Sequence, residues 1–535
     1  MFMPLPAMLK FLVNFGAMRF ALLILFSLSF GFTLAQSRVT LKKADQLVGG
    51  VKDGERFDRV IGNVIFEQSK TTIYCDSALF YRAKNTVEAY GRVRIIEGDS
   101  VTITASKADY DGNTRIARLR NNVVFTKLAQ ATLYTDYLDF DRLKNEAYYF
   151  NGGRLVDSIN TLTSTKGYYQ VNTNMASFKR NVNVTNPDYT MKSDSLQYNS
   201  NTKVIYFRTE TTVIDKDGNT FVYEGGEYDT KTQQSNIQQG QAESPSYTLT
   251  GKKIKLDDLR KFYTVSGDVV MTYKDENLTI YGDDAIFDKQ KGIAKVYNNA
   301  WLAQVTEEGD TLFLSADTLV SIDSQDPAKK RLLAYHHVKI FKSDLQGLTD
   351  SLEYRQADSM MFFYRAPVLW TAGNQMTADT IAMLIENKTI SKIFMKSNSF
   401  VISTDTIDNF NQIKGRKMTA FFRNKKLHQV NVDGNGESIY FALDEKTNAL
   451  MGMNKIICSK IVIRFKDARV NNLSFYTNPE ADFIPPHELK KDEMLLIGFD
   501  WKIDSRPARK DVVKGQKQSE EKAPKKSKVE LPKRN

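Results

Sequence analysis

The sequence predicts an all-β protein, built as one elongated stack of about thirteen turns of roughly 30 residues. Two interleaved marks that recur with the same period support this, as does a composition suited to strands. The stretch Val60–Glu97, VIGNVIFEQSKTTIYCDSALFYRAKNTVEAYGRVRIIEG, holds both marks. One is Gly62-Asn63-Val64 followed by alternating apolar residues; the other is Asp76-Ser77-Ala78-Leu79-Phe80. Both alternate with period two, so both read as short strands joined by polar turns.

The second mark returns at Ser106, Asp136, Thr165, Asp194, Glu224, Lys252, Asp283, Asp317, Asp350 and Asp379, in steps of 28 to 34 residues, and more weakly at Arg416 and Ser459. The first keeps step at Gly91, Asn121, Arg180 and Gly267, with looser copies at Asn298, His336 and Arg365. Hydrophobic residues make up 41% of the chain and aromatics 11%, and Phe (32) and Tyr (25) far outnumber Trp (3), as strands favour. Helical periodicity is nearly absent. Adjacent turns pair through their backbones, and two sheets face each other with apolar residues between them.

Residues 1–35 read as a secretory signal. Lys10 and Arg19 precede an apolar run from Phe20, and Thr33-Leu34-Ala35 offers small residues for cleavage before Gln36. Translation from Met18 would give a more compact signal. A retained anchor competes with this reading, but the run is short for a bilayer span. The repeat array is assigned to 36–470, a terminal cap or docking segment to 471–504, and a disordered basic tail to 505–535. Cys75 and Cys458 sit near opposite ends of the array, too far apart in such a stack for a structural disulfide.

The net charge of +11 invites a nucleic-acid reading, but most of it is confined to the tail. From Ser505 onward there are eleven Lys and Arg against four acids, leaving the array nearly neutral. The tail lacks aromatics and reads as a solvated segment; contact with phosphates or headgroups is its alternative. No nucleic-acid partner is expected.

The residues expected on the inner face are Val64, Phe66, Ala78, Phe80, Val93, Ile95, Val123, Phe125, Leu138, Phe140, Val182, Val184, Leu196, Tyr198 and Phe287. The Asp that opens each second mark is expected at a strand entrance or corner. The phase-locked series resembles the OstA-like family of lipopolysaccharide-transport proteins. It is carried by Gly62-Asn63-Val64, Cys75-Asp76-Ser77-Ala78, Gly267-Asp268-Val269, Gly282-Asp283-Asp284-Ala285-Ile286-Phe287 and Leu348-Thr349-Asp350-Ser351-Leu352-Glu353-Tyr354.

That resemblance implies an open, V-shaped β-jellyroll whose interior, lined by the residues above, holds the acyl chains of lipid A. It implies a periplasmic carrier without catalytic activity or cofactor. The implied partners are lipopolysaccharide, an outer-membrane translocon, and other β-jellyroll components joined end to end by strand pairing. The chain departs from the family in having more turns than a simple bridge protein, and no transmembrane barrel follows the array.

Two other readings stay open. A β-solenoid that binds or cleaves polysaccharide would need clustered carboxylates, and only Asp257-Asp258 and Asp283-Asp284 form tight pairs. A cell-envelope scaffold would need its interior filled by large side chains. The small residues Ala78, Ala108, Gly167, Gly226 and Ala285 share one aligned position, opposite Phe80, Tyr110, Tyr169, Tyr228 and Phe287, a mixture that permits a groove. The four His are too few and too scattered for a metal or triad arrangement.

Overall fold

The computed structural model describes residues 37–514, apart from 99–100, 128–130, 158, 308, 372, 388, 445 and 467–468. The signal segment and the tail from 515 lie outside the described residues. The chain divides into two compact units, residues 1–174 and 175–535. Each is an antiparallel β-jellyroll.

In the first unit the central strands are Glu55–Gln68, Thr71–Tyr81, Thr86–Glu97, Val101–Asp111, Ile116–Lys127 and Ala131–Asp141. They are long strands, not the short pieces that the alternation suggested, and each pairs with the next. Near the middle of every pair the register slips, as between Ile61 and Val64 or between Tyr90 and Val93. The slip sits at the first mark. Gly62 and Asn63, Gly91 and Arg92, and Asn121 and Asn122 all have positive φ. Two consecutive left-handed residues bend the strand, and Gly and Asn tolerate that conformation best. Each strand therefore crosses a crease and contributes to two wings that face each other.

The second mark lies on the neighbouring strand at the same crease. Arg92 Nε donates to Asp76 Oδ1 at 3.0 Å, and the Asn122 backbone N–H donates to Asp136 Oδ1 at 3.1 Å. Asn63 does the same with Asp45 at 2.9 Å. The recurring Asp is thus mid-strand, where it ties down the bulge opposite it. Sequence spacing placed it at a strand entrance because the two marks, distant in sequence, are neighbours across the ladder. His336 and His337 occupy one such bulge, 3.2 Å from Asp350 and 2.7 Å from Asp317.

The second unit repeats the design from Met175–Thr185 to Leu450–Lys466. In several turns the crease splits a strand in two, as in Val204–Phe207 with Thr211–Asp215. Strand pairing continues past residue 470, because Arg469–Tyr476 and Glu480–Ile484 pair with the two halves of Leu450–Lys466. The segment set apart as 471–504 is therefore partly sheet.

Residues 485–514 form a strap over one wing of this unit. Gln346, Trp370, Gln375, Ile402, Gln412 and Ile439 are successive cross-strand partners and so share one face. Counting from the bulges, the inward row is its neighbour, Gly347, Leu369, Met376, Val401 and Ile413, so the glutamine row faces outward. It is nevertheless buried, because the strap lies on it. Residues 505–514, expected to be disordered, are part of this strap: Val512 packs fully buried against Trp301 and Phe313. The polar, lysine-rich composition of the tail hid this one apolar anchor.

Candidate functional site

The space between the two wings is the candidate site, and it differs along the chain. Its floor, at the crease, is closed in both units. Val64, Ala78, Val93, Ala108 and Val123 are buried in the first, and Val182, Ile237, Ile254, Val269 and Ala285 in the second. Gly167 shows how tight the floor is, since a Cβ there would run into the Tyr149 ring.

The inward residues farther from the crease form the lips. In the first unit Phe66, Phe80, Ile95, Tyr110, Phe125 and Phe140 are 0–6% exposed. The wings meet there, with the rings of Phe66 and Phe80 5.2 Å apart, edge to face, and those of Phe125 and Tyr169 6.0 Å apart. Polar ties then close the mouth. Gln68, at the end of one wing, donates from Nε2 to the Gly112 carbonyl at 2.8 Å on the other and accepts from the Tyr110 hydroxyl. Arg142 pairs with Glu97 at 2.7 Å, with both side chains nearly enclosed, and donates to the Gln68 carbonyl at 3.2 Å. Lys127 Nζ donates to the Val171 carbonyl at 3.0 Å.

Between Val204 and Tyr297 of the second unit most of the corresponding lip residues are only half-buried, Met271 and Ser235 being the buried members of the two rows. The half-buried ones are Ile205, Tyr228, Leu256, Tyr263 and Phe287 on one wing, and Val213, Phe221, Leu249 and Ile280 on the other. Tyrosines rim this mouth. Burial pushes the Tyr228 and Tyr273 hydroxyls up to about 12, so both are neutral donors. Asp258, at the rim beside Tyr263, has its carboxyl pKa raised by burial, opposed by a hydrogen bond from the Tyr263 hydroxyl. The arrangement is an apolar trough with hydroxyl groups at its edge, suited to an amphiphile whose chains lie inside and whose polar part stays at the rim.

Of the fifteen residues expected to face inward, thirteen are buried between the wings and two, Tyr198 and Phe287, are half-buried. Those of the first unit pack against one another, so a ligand reaches them only if the wings part. The lips of the middle stretch, apart from Tyr228 and Phe287, were not singled out from sequence. Their signal was present in the lip position of the repeat, where Phe80 and Phe140 give way to Tyr228 and Leu256. Both cysteines are buried and unpaired, and burial pushes the Cys75 thiol up to about 12. Among the described residues no group of His, Cys, Asp or Glu gathers in a form that could hold a metal ion.

Residues 36–194 match the model of the OstA-like protein family. Among solved structures, the chain is similar to the crystal structure of LptH, the LptA-homologous periplasmic component of the conserved lipopolysaccharide transport device from Pseudomonas aeruginosa. That similarity has 17% identity and a TM-score of 0.20, and covers 22% of this chain and 82% of that one. No curated protein matches the chain.

Proposed function

We propose that this chain is a periplasmic carrier that holds the acyl chains of lipopolysaccharide in the trough between its wings and passes them towards the outer membrane. The observation that carries the reading is the half-open, tyrosine-rimmed mouth between Val204 and Tyr297, set above a closed apolar floor. The OstA-like match over residues 36–194 agrees with it. Each methylene removed from water contributes about 0.8 kcal/mol, so a lipid with several chains needs such a shelter to cross an aqueous space. Repeated, similar turns give a shallow affinity profile along the trough, and the energy for movement comes from a partner. End-to-end pairing of sheet edges with other β-jellyroll components, and delivery to an outer-membrane translocon, complete the reading.

Photocrosslinking in cells tests it, with a photoreactive residue at Tyr198, Tyr228, Leu256 or Phe287 and outward controls at Glu227 and Lys255. Lipopolysaccharide adducts are expected at the four inward positions only. Adducts at none of them, together with normal surface lipopolysaccharide after depletion of the protein, would sink the reading. The scaffold alternative would then account for the closed interior of the first unit.

A further inference from the structure

One polar side chain stands inside the half-open trough without a partner. Ser235 is on the strand Gln234–Glu243, two residues from Ile237 of the closed floor, and its cross-strand neighbours are the inward lip residues Tyr228 and Leu256. Its hydroxyl therefore lies between the wings. Ser235 is 8% exposed, and its Oγ is cut off from solvent with no hydrogen-bond partner among the described residues. Other buried hydroxyls between the wings are paired. Thr135 donates to the Gly152 carbonyl at 2.7 Å, Ser164 to the Lys166 carbonyl at 2.9 Å and Thr211 to the Thr209 carbonyl at 3.0 Å. Two more serines share the lack of a partner. Ser315 is cross-strand from Trp301, on the face beneath the strap, and Ser399 lies at the floor beside the bulge of Ser397 and Asn398. Of the three, Ser235 alone faces the half-open mouth.

Packing does not call for a hydroxyl at this place. In the first unit the cross-strand neighbour of Phe80 is Val87 and that of Phe140 is Ala117, both buried. Ser235 takes the same place beside Tyr228. Alanine would fill it with no unpaired group, whereas an enclosed hydroxyl without a partner costs free energy that a ligand can offset. A strand rises about 3.3 Å per residue, so Ser235 lies about 7 Å inside the turn residue Gln233. We propose that Ser235 is a specificity-determining residue of the trough, which hydrogen-bonds a hydroxyl borne on the bound chain, so that hydroxylated acyl chains are held in preference to plain ones. The proposal rests on the acyl-chain reading of the trough. A serine hydroxyl both donates and accepts, and a chain hydroxyl complements it in both directions. A plain methylene chain laid over Ser235 would seal the group from water and leave it unpaired. That asymmetry, more than the strength of the bond itself, makes the discrimination.

The test measures displacement of a fluorescent dodecyl alcohol from the chain beginning at Gln36, by dodecan-1-ol and by dodecanediols whose second hydroxyl is stepped along the chain. In the parent, one isomer or two adjacent isomers should stand out above the rest in affinity relative to dodecanol. Ser235→Ala should weaken those isomers about tenfold relative to dodecanol, and leave dodecanol and the other isomers within about twofold. Each comparison is a ratio of ratios, so the general cost of burying a hydroxyl cancels. Ser235→Ala should also melt no lower than the parent, since it removes an unpaired group. Ser399→Ala, which takes an equally unpartnered hydroxyl from the floor, should leave the isomer profile unchanged. A flat profile, an equal shift of every isomer in Ser235→Ala, or the same isomers weakened by Ser399→Ala overturns the proposal. So does a lower melting temperature for Ser235→Ala, which would show the hydroxyl already paired within the protein. Binding of dodecanol with a flat profile refutes only the role of Ser235, whereas binding of neither dodecanol nor any diol refutes the trough as well.

Discussion

The first unit and the Val204–Tyr297 stretch use the same hairpin, the same crease and the same inward rows, yet one closes its mouth and the other leaves it half open. The difference lies in the lips. Phe66, Phe80 and Phe140 reach across and pack in the first unit, and Gln68, Glu97 and Arg142 tie the edges above them. In the middle stretch Tyr228 and Tyr263 stand half-buried in lip positions, whereas in the first unit the hydroxyl of Tyr110 is taken up by Gln68 inside the closed mouth. The floor sets the fold, and the lips decide whether the interior is core or binding surface.

The largest expected effect comes from truncating a lip residue on each side of this divide. Phe66→Ala should destabilise the first unit by about 3–5 kcal/mol, because it empties a closed core. Phe287→Ala should cost the second unit only about 1–2 kcal/mol, since its ring already borders solvent. Hydrogen exchange measured separately over the strands of each unit is the appropriate readout, because a molecule of two units need not unfold in one step. Equal losses would mean that both interiors are core.

Next is the polar closure. Arg142→Ala leaves the Glu97 carboxylate enclosed without its partner, which should cost about 3 kcal/mol in the first unit. It should also loosen the mouth, so that a fluorescent dodecyl alcohol gains access to the first unit. Probe quenching by a label near Phe80 would report it. Unchanged quenching would show that the aromatic contacts and the Gln68 ties keep the wings together without Arg142.

A smaller effect is expected where the strap is gripped. Gln412→Ala removes a donor and an acceptor from buried backbone, so protection of the Leu496 amide should fall by about 1–3 kcal/mol. The strands of the middle stretch, which the strap does not cross at Gln412, should keep theirs.

The repeat, the all-β class and the inward rows were legible in the sequence because they are periodic and local. Val64, Phe66, Ala78 and Phe80 could be placed from alternation alone. The crease was only half legible. Gly62-Asn63 announces left-handed backbone, but that Asp45 and Asp76 close neighbouring bulges depends on strand register, which the sequence does not display. The strap was illegible for another reason. Gln346, Gln375 and Gln412 occupy outward positions where a polar residue is unremarkable, and only the long-range fold of residues 485–513 buries them. Residue type alone does not separate the closed and half-open mouths, since Tyr110 is buried in one and Tyr228 half-buried in the other, and whether the wings meet there is decided by packing.

The finest test of the comparison is in pH, where two adjacent carboxylates at the half-open mouth titrate with opposite consequences. Asp257 accepts from the Arg260 N–H at 2.9 Å and from Gln234 at 3.0 Å, and its pKa is lowered chiefly by the Arg260 bond. Its contribution to stability is present above its unfolded value near 3.8 and is lost as pH falls through the lower folded value. Asp258 has the reverse shift, raised by burial at the rim. It penalises the folded state at neutral pH, and the penalty disappears as pH falls through its raised pKa towards 3.8. Asp257→Asn should therefore lower the melting temperature slightly at pH 7 and converge with the parent in acid. Asp258→Asn, which keeps a partner for the Tyr263 hydroxyl, should raise it slightly at pH 7 and also converge. Melting curves across the acid range decide the matter. If Asp258→Asn proves destabilising at pH 7, the carboxylate is at home in that mouth, and the rim is wetter and more open than the half-buried tyrosines alone imply.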